Sequence, residues 1–148
     1  MELRSQDGSY WNTGSCQFYS DYPYGSFNLL VAIQFSLGKS FPKVPGLLDT
    51  ASRWVVFSRE FLESMGIPFI EQNSTVEKMH TRFGLIEGFI DRLSLEIVAD
   101  KGNSISIDST CFISQDWPGP PVIGWKGCLE RIRFALDPSV DRFYFGTY

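Results

Sequence analysis

Short apolar runs separated by turn-forming residues dominate this chain, and stretches of helical period are few. Residues 29–35 (Leu29-Leu30-Val31-Ala32-Ile33-Gln34-Phe35) are apolar with β-branched members. Gly38-Lys39 reads as a turn, and Val44 and Leu47-Leu48 resume the apolar character. This predicts a strand, a hairpin connection and a second strand ending at Asp49. Residues 58–66 open on Ser58, carry Phe61, Leu62 and Met65 at helical spacing and stop at Gly66, which predicts one short helix. Glu60 and Glu63 then share its polar face rather than forming an acid/base pair. From Met79 the strand pattern returns. Residues 83–90 hold Gly84 and Gly88 among apolar residues and predict a hairpin with a mobile tip near Glu87, which is expected to be solvated, as is His80 just before it. Residues 92–97 and 105–107 alternate with period two and lead into Thr110-Cys111-Phe112-Ile113, with Asp100-Lys101-Gly102-Asn103 as a turn and Asp108 as a solvated strand-end residue. Trp117-Pro118-Gly119-Pro120-Pro121 is expected to be a loop, because proline donates to no ladder. Val122-Ile123-Gly124 reads as a short buried strand and Leu129-Glu130-Arg131 as a helical turn. Residues 132–138 and 142–146 read as a closing hairpin in which Arg131 and Arg133 mark an exposed edge.

Strands joined by short turns, with one helix and a helical turn near Leu129, indicate an all-β domain. Residues 1–27 lack any period and are rich in Ser, Gly, Tyr, Trp and Phe, so the expected organisation is an irregular aromatic arm followed by a domain over residues 28–148. A chain of 148 residues suits one such domain. Its net charge of -4 argues against a nucleic-acid partner, since phosphate binding needs concentrated Lys and Arg. No apolar run is long enough to span a bilayer and the amino terminus has no apolar signal segment, so the expectation is a soluble, cytoplasmic protein without a membrane partner. Cys16, Cys111 and Cys128 are odd in number and irregularly spaced, which suggests reduced buried thiols. With His80 the single histidine, a zinc site of two or more histidines within one chain is excluded.

Three features in chain order resemble the retropepsin-like, or retroviral-type, aspartic protease family. Leu47-Leu48-Asp49-Thr50-Ala51-Ser52 looks like the family's active-site turn of two apolar residues, Asp, Thr or Ser, Gly, and Ala or Ser. Residues 83–90 are similar to its glycine-bearing flap hairpin. Pro121-Val122-Ile123-Gly124 followed by Leu129-Glu130-Arg131 looks like the element and closing helix that complete its active-site sheet. The tail through residue 146 is similar to that of small bacterial members. The resemblance implies an acid-protease barrel completed as a homodimer, with Asp49 of each copy forming a catalytic dyad and Thr50 bracing the two turns. It further implies that Gly84, Leu85, Ile86, Glu87 and Gly88 cover a peptide or protein substrate, and that Ile123 and Gly124 support the active-site sheet. Neither metal nor organic cofactor is implied.

Peptide hydrolysis by this route holds a water between two carboxyls, one ionised to take its proton and one protonated to polarise the scissile carbonyl. Two such groups in contact share one proton. The chain supplies one copy of the turn, since residues 105–110 imitate it with Thr110 where the motif has Gly. Ala51 departs from the motif in the same way, so the alternative is a catalytically silent peptide-binding or dimerisation module of the same fold; an unrelated small β-barrel that binds a ligand is a third reading. Ile86 and Phe89 are open between lining substrate subsites and packing inward.

Overall fold

The apolar run at residues 29–35 folds as β2 (Leu30–Phe35) and returns antiparallel through β3 (Val44–Leu48), which delivers Asp49 as the first residue beyond the strand. The computed structural model describes residues 3–20, 29–38, 40–69 and 75–148; the expected turn position Lys39, the aromatic segment at Tyr22, Tyr24 and Phe27, and the expected domain boundary lie outside them. After the Asp49 turn, β4 (Val55–Ser58) leads into α1 (Arg59–Ser64). The helix is built as its punctuation requires. The Ser58 hydroxyl accepts the Phe61 N–H at 3.0 Å, a cap worth about 1 kcal/mol. Gly66, at φ 68°, ends the helix in a left-handed conformation that costs a side chain-free residue nothing. Leu62 faces inward, and Phe61 stacks on Phe57 with ring centroids 6.2 Å apart.

A hairpin follows, β5 (Val76–Thr81) and the long β6 (Gly84–Ile97), then the two-residue β7 (Lys101–Gly102), β8 (Ile105–Ser114) and β9 (Val122–Ile123). The larger sheet runs β2-β3-β9-β4-β8-β6-β5, and β2 also pairs with β6 through Ile33, Gln34 and Phe35. Six strands thereby close into a barrel, with β5 appended outside the ring. Alternation sorts the side chains onto two faces. Val55, Phe57, Cys111, Ile113 and Ile123 enter the main core, whereas Val56, Phe112 and Val122 join Ile86 in a second cluster on the opposite face.

A one-turn 3₁₀ helix (Leu129–Arg131) precedes β10 (Arg133–Asp137) and β11 (Arg142–Gly146), the expected closing hairpin. These strands belong to a second sheet, β10-β11-β1-β7, in which β1 (Gly14–Gln17) lies between β11 and β7. Here the structure corrects the sequence reading. Part of the segment expected to be an irregular arm is a strand, with Cys16 buried in the main core, and Lys101-Gly102 pairs with it as well as turning. Asp100 ties the region together by accepting the Gln17 N–H at 2.9 Å and pairing with Arg142. Further differences concern β4, which periodicity did not reveal, and Asp108, which sits within β8 opposite Ser94 and pairs with Arg92 rather than ending a strand. The hairpin turn falls at Arg82-Phe83, not near Glu87. Glu87 lies mid-strand opposite Lys78 and is solvated, as expected.

The three cysteines are free and buried. Burial raises the Cys16 thiol to about 12 and the Cys128 thiol to about 11, and pushes Cys111 up as well. An unfolded thiol ionises near 9, so this contribution to stability is complete below pH 9 and is lost as pH rises toward 11 to 12, where the native state must release protons it holds tightly. Native thiols should react with a disulfide reagent at pH 8 at least about 100-fold more slowly than in denaturant. Equal rates would contradict the buried placement.

Candidate active site

Asp49 is presented by a turn whose own backbone organises the carboxylate. Its N–H donates to the Ile123 carbonyl at 3.0 Å, anchoring the turn to β9, while β3 and β9 run parallel with Leu48 opposite Ile123. Oδ1 accepts the amide hydrogens of Ala51 at 2.9 Å and Ser52 at 3.3 Å. Ser52 N–H also donates to the Asp49 carbonyl at 3.1 Å, and its hydroxyl donates to the Trp54 carbonyl at 2.8 Å. Among the described residues nothing bonds Oδ2. One oxygen is thus fixed by backbone and the other is left to react or to meet a partner.

Gly124 makes this turn possible. The chain after Ser52 passes so close that a Cβ at position 124 would fall inside the Trp54 carbonyl group and 3.0 Å from the Ser52 oxygen. That proximity lets Trp125 N–H donate to Ser52 O at 2.9 Å and Lys126 N–H to Arg53 O at 2.8 Å. Ala51, in contrast, lies outside the left-handed region and is exposed, so its methyl strains no backbone in this chain. Thr50 is exposed beside an apolar hollow of about 240 Å³ that it shares with Asp49, Leu29, Phe134 and Leu136.

On its other side Asp49 opens into a cleft of about 360 Å³ beneath the β5/β6 hairpin. Leu47, Val56 and Val122 form the apolar floor, and Met79, His80, Thr81 and Arg82 of the hairpin also line it, with the Met79 side chain packed on the second cluster and His80 and Arg82 exposed. Of the hairpin residues singled out from sequence, Gly84 holds φ 103° just past the tip and Leu85 is exposed. Gly88 is where the hairpin meets β8: a Cβ there would collide with the Ile113 carbonyl and lie 2.8 Å from the Phe112 ring. Ile86 and Phe89 pack inward, Ile86 in the second cluster and Phe89 in the main core, which resolves the choice left open by the sequence. Among the cleft residues not singled out as binding groups are Arg53, His80, Arg82 and Trp117. Arg53 could have been found from its place beside Trp54 directly after the motif. The others are brought in by the hairpin and the proline loop, which carry no local mark of what they face.

Among the described residues no cluster of three or more His, Cys, Asp or Glu could hold a metal ion, and no helix is long and apolar enough to cross a membrane. No protein-family model matches the chain, and no curated protein matches it. Among solved structures it is similar to a retropepsin-like aspartic protease from Rickettsia conorii, with a TM-score of 0.58 and 16% identity over 88% of this chain and 98% of that one. The fold is therefore the all-β retropepsin-like fold.

Proposed function

We propose that this chain is an aspartic endopeptidase that works as a homodimer. The observation that carries the proposal is Asp49 at the mouth of the cleft, with Oδ1 held by two backbone amides and Oδ2 unbonded. In the dimer, one Asp49 carboxylate takes a proton from a bound water, whose oxygen adds to the scissile carbonyl carbon. The other Asp49, protonated, gives its hydrogen to the carbonyl oxygen; as the C–N bond of the adduct breaks, the amine takes a proton from the dyad and a hydroxyl of the adduct returns one to it, leaving the carboxylic acid product and the dyad with its single proton. Thr50 braces the two turns, and the hairpin covers an extended peptide that pairs with its backbone. Ala51 is compatible with this role because its conformation is one that alanine adopts freely. The test is hydrolysis of a mixed peptide library below about pH 6, where the dyad keeps one proton, with and without a statine-type inhibitor. Cleavage blocked by the inhibitor supports the proposal. Intact dimers that cleave nothing would overturn it in favour of a peptide-binding module.

The edge strand β10 supports self-association. Its sequence, Arg133-Phe134-Ala135-Leu136-Asp137, is complementary to itself: antiparallel pairing about a two-fold axis through Ala135 sets Arg133 opposite Asp137 and Phe134 opposite Leu136. Hydrogen bonds from Ser139 hold the Asp137 carboxyl below its ordinary value, so it is charged at neutral pH. Phe134 and Leu136 border the same hollow as Asp49 and Thr50, so this pairing brings a second copy to the active-site turn. R133E or D137K alone should weaken dimerisation about 10-fold in sedimentation velocity, and the two together should restore it. A double variant no better than either single one would rule out this register.

A further inference from the structure

The cleft beside Asp49 is basic in a chain whose net charge is -4. Arg53 places its guanidinium 4.9 Å from the centre of the Trp54 ring, and the Lys126 ammonium lies 5.5 Å from the same ring. Neither has a carboxylate partner among the described residues. The arrangement is imposed by backbone, since the Lys126 N–H to Arg53 carbonyl bond holds the two residues side by side, and Trp54 packs on the second cluster as a fixed platform. His80 and Arg82 of the hairpin also line the cleft. Asp49 is the one carboxylate among the residues lining this cleft. Two like charges gathered on one indole are stabilised by an anion between them. An extended peptide lying along the apolar floor would bring its side chains past these groups.

We infer that the cleft selects peptides with an acidic side chain close to the scissile bond, and that Arg53 is the residue that reads it. The inference rests on the peptide-binding part of the proposed function and names its substrate class. Arg53 is a specificity residue, and Lys126 reinforces the positive field beside it.

The test separates binding from cleavage. Fluorescence-labelled peptides identical except for Glu, Gln or Lys at one position flanking the cleaved bond are titrated against the full chain carrying Asp49→Asn, at low and at high salt. Glu peptides are expected to bind about 10-fold more tightly than Lys peptides, with the difference shrinking as salt screens it. R53E should abolish or reverse that order while leaving the circular dichroism spectrum unchanged; R53K, which keeps the charge, should retain most of it. Equal binding of Glu and Lys peptides, or an order untouched by R53E, would overturn the inference. So would tighter binding of a single-stranded oligonucleotide than of any Glu peptide, since the cleft would then read phosphate. Wild-type protein that binds Glu peptides without cutting them leaves this inference standing and removes the protease reading; cutting without acidic preference does the reverse.

Discussion

Asp49→Asn should cut peptide hydrolysis by at least about 10³-fold while leaving fold and dimer in place. The substitution is close to isosteric, and an amide oxygen at Oδ1 can still accept the Ala51 and Ser52 N–H groups that shape the turn. What disappears is the second oxygen, which nothing among the described residues bonds and which the proposed mechanism needs as base or acid. A titration of kcat/KM against pH, with circular dichroism and sedimentation on the same samples, separates lost chemistry from lost structure. Activity within about 10-fold of wild type would remove Asp49 from the mechanism. A loss of activity accompanied by dissociation would point instead to a structural role in joining the two turns.

Gly124→Ala tests the scaffold beneath that chemistry. Its methyl group has no room, because the atoms it meets are the carbonyl groups of Trp54 and Ser52 rather than the end of a flexible side chain. Relief requires the strand of chain carrying residues 52–54 to move off β9, breaking the bonds from Trp125 and Lys126. Overpacking of this kind costs about 3 kcal/mol, which lowers the melting temperature of a domain of this size by about 6 to 12 °C. Because the displaced segment is continuous with the Asp49 turn, activity should fall more than the loss of folded protein accounts for. A melting temperature within about 2 °C of wild type would mean that the close approach is not needed.

Much of this arrangement was legible in the sequence because its signals are local. Apolar β-branched runs gave β2 and β3, Ser58 and Gly66 bracketed the helix, and Val122-Ile123-Gly124 was short, apolar and ended by glycine. Where the reading failed, the deciding contacts are remote. Gly14-Ser15-Cys16-Gln17 has neither alternation nor branched residues, and it becomes a strand because β11, at the far end of the chain, supplies the partners Phe145 to Arg142. Val55-Val56-Phe57 carries strong strand propensity, yet it lies between a turn and a helix cap that absorbed the pattern on both sides. The hairpin tip was misplaced because Gly88 looked like turn chemistry, whereas its lack of a side chain serves the close approach of β8. Asp49 was marked by the motif; the basic residues beside it were not, since they come together only when the hairpin folds across the barrel.

The length of β6 sets how far the hairpin reaches beyond the barrel. The strand is shared: residues 84–89 pair with β5, and from Phe89 onward it pairs with β8. About five residues therefore extend roughly 16 Å beyond the last barrel rung, tied to it by the Ser114 hydroxyl donating to the Glu87 carbonyl and by Ile86 in the second cluster. With that reach, a flexure of about 20° at Gly88 would move the tip by about 6 Å, more than the usual 4.8 Å spacing between strands. The fulcrum is where the backbone has no side chain to resist bending and where Ile113 and Phe112 press against it. A methyl at Gly88 would have to push the hairpin off β8, since backbone and ring rather than open space await it.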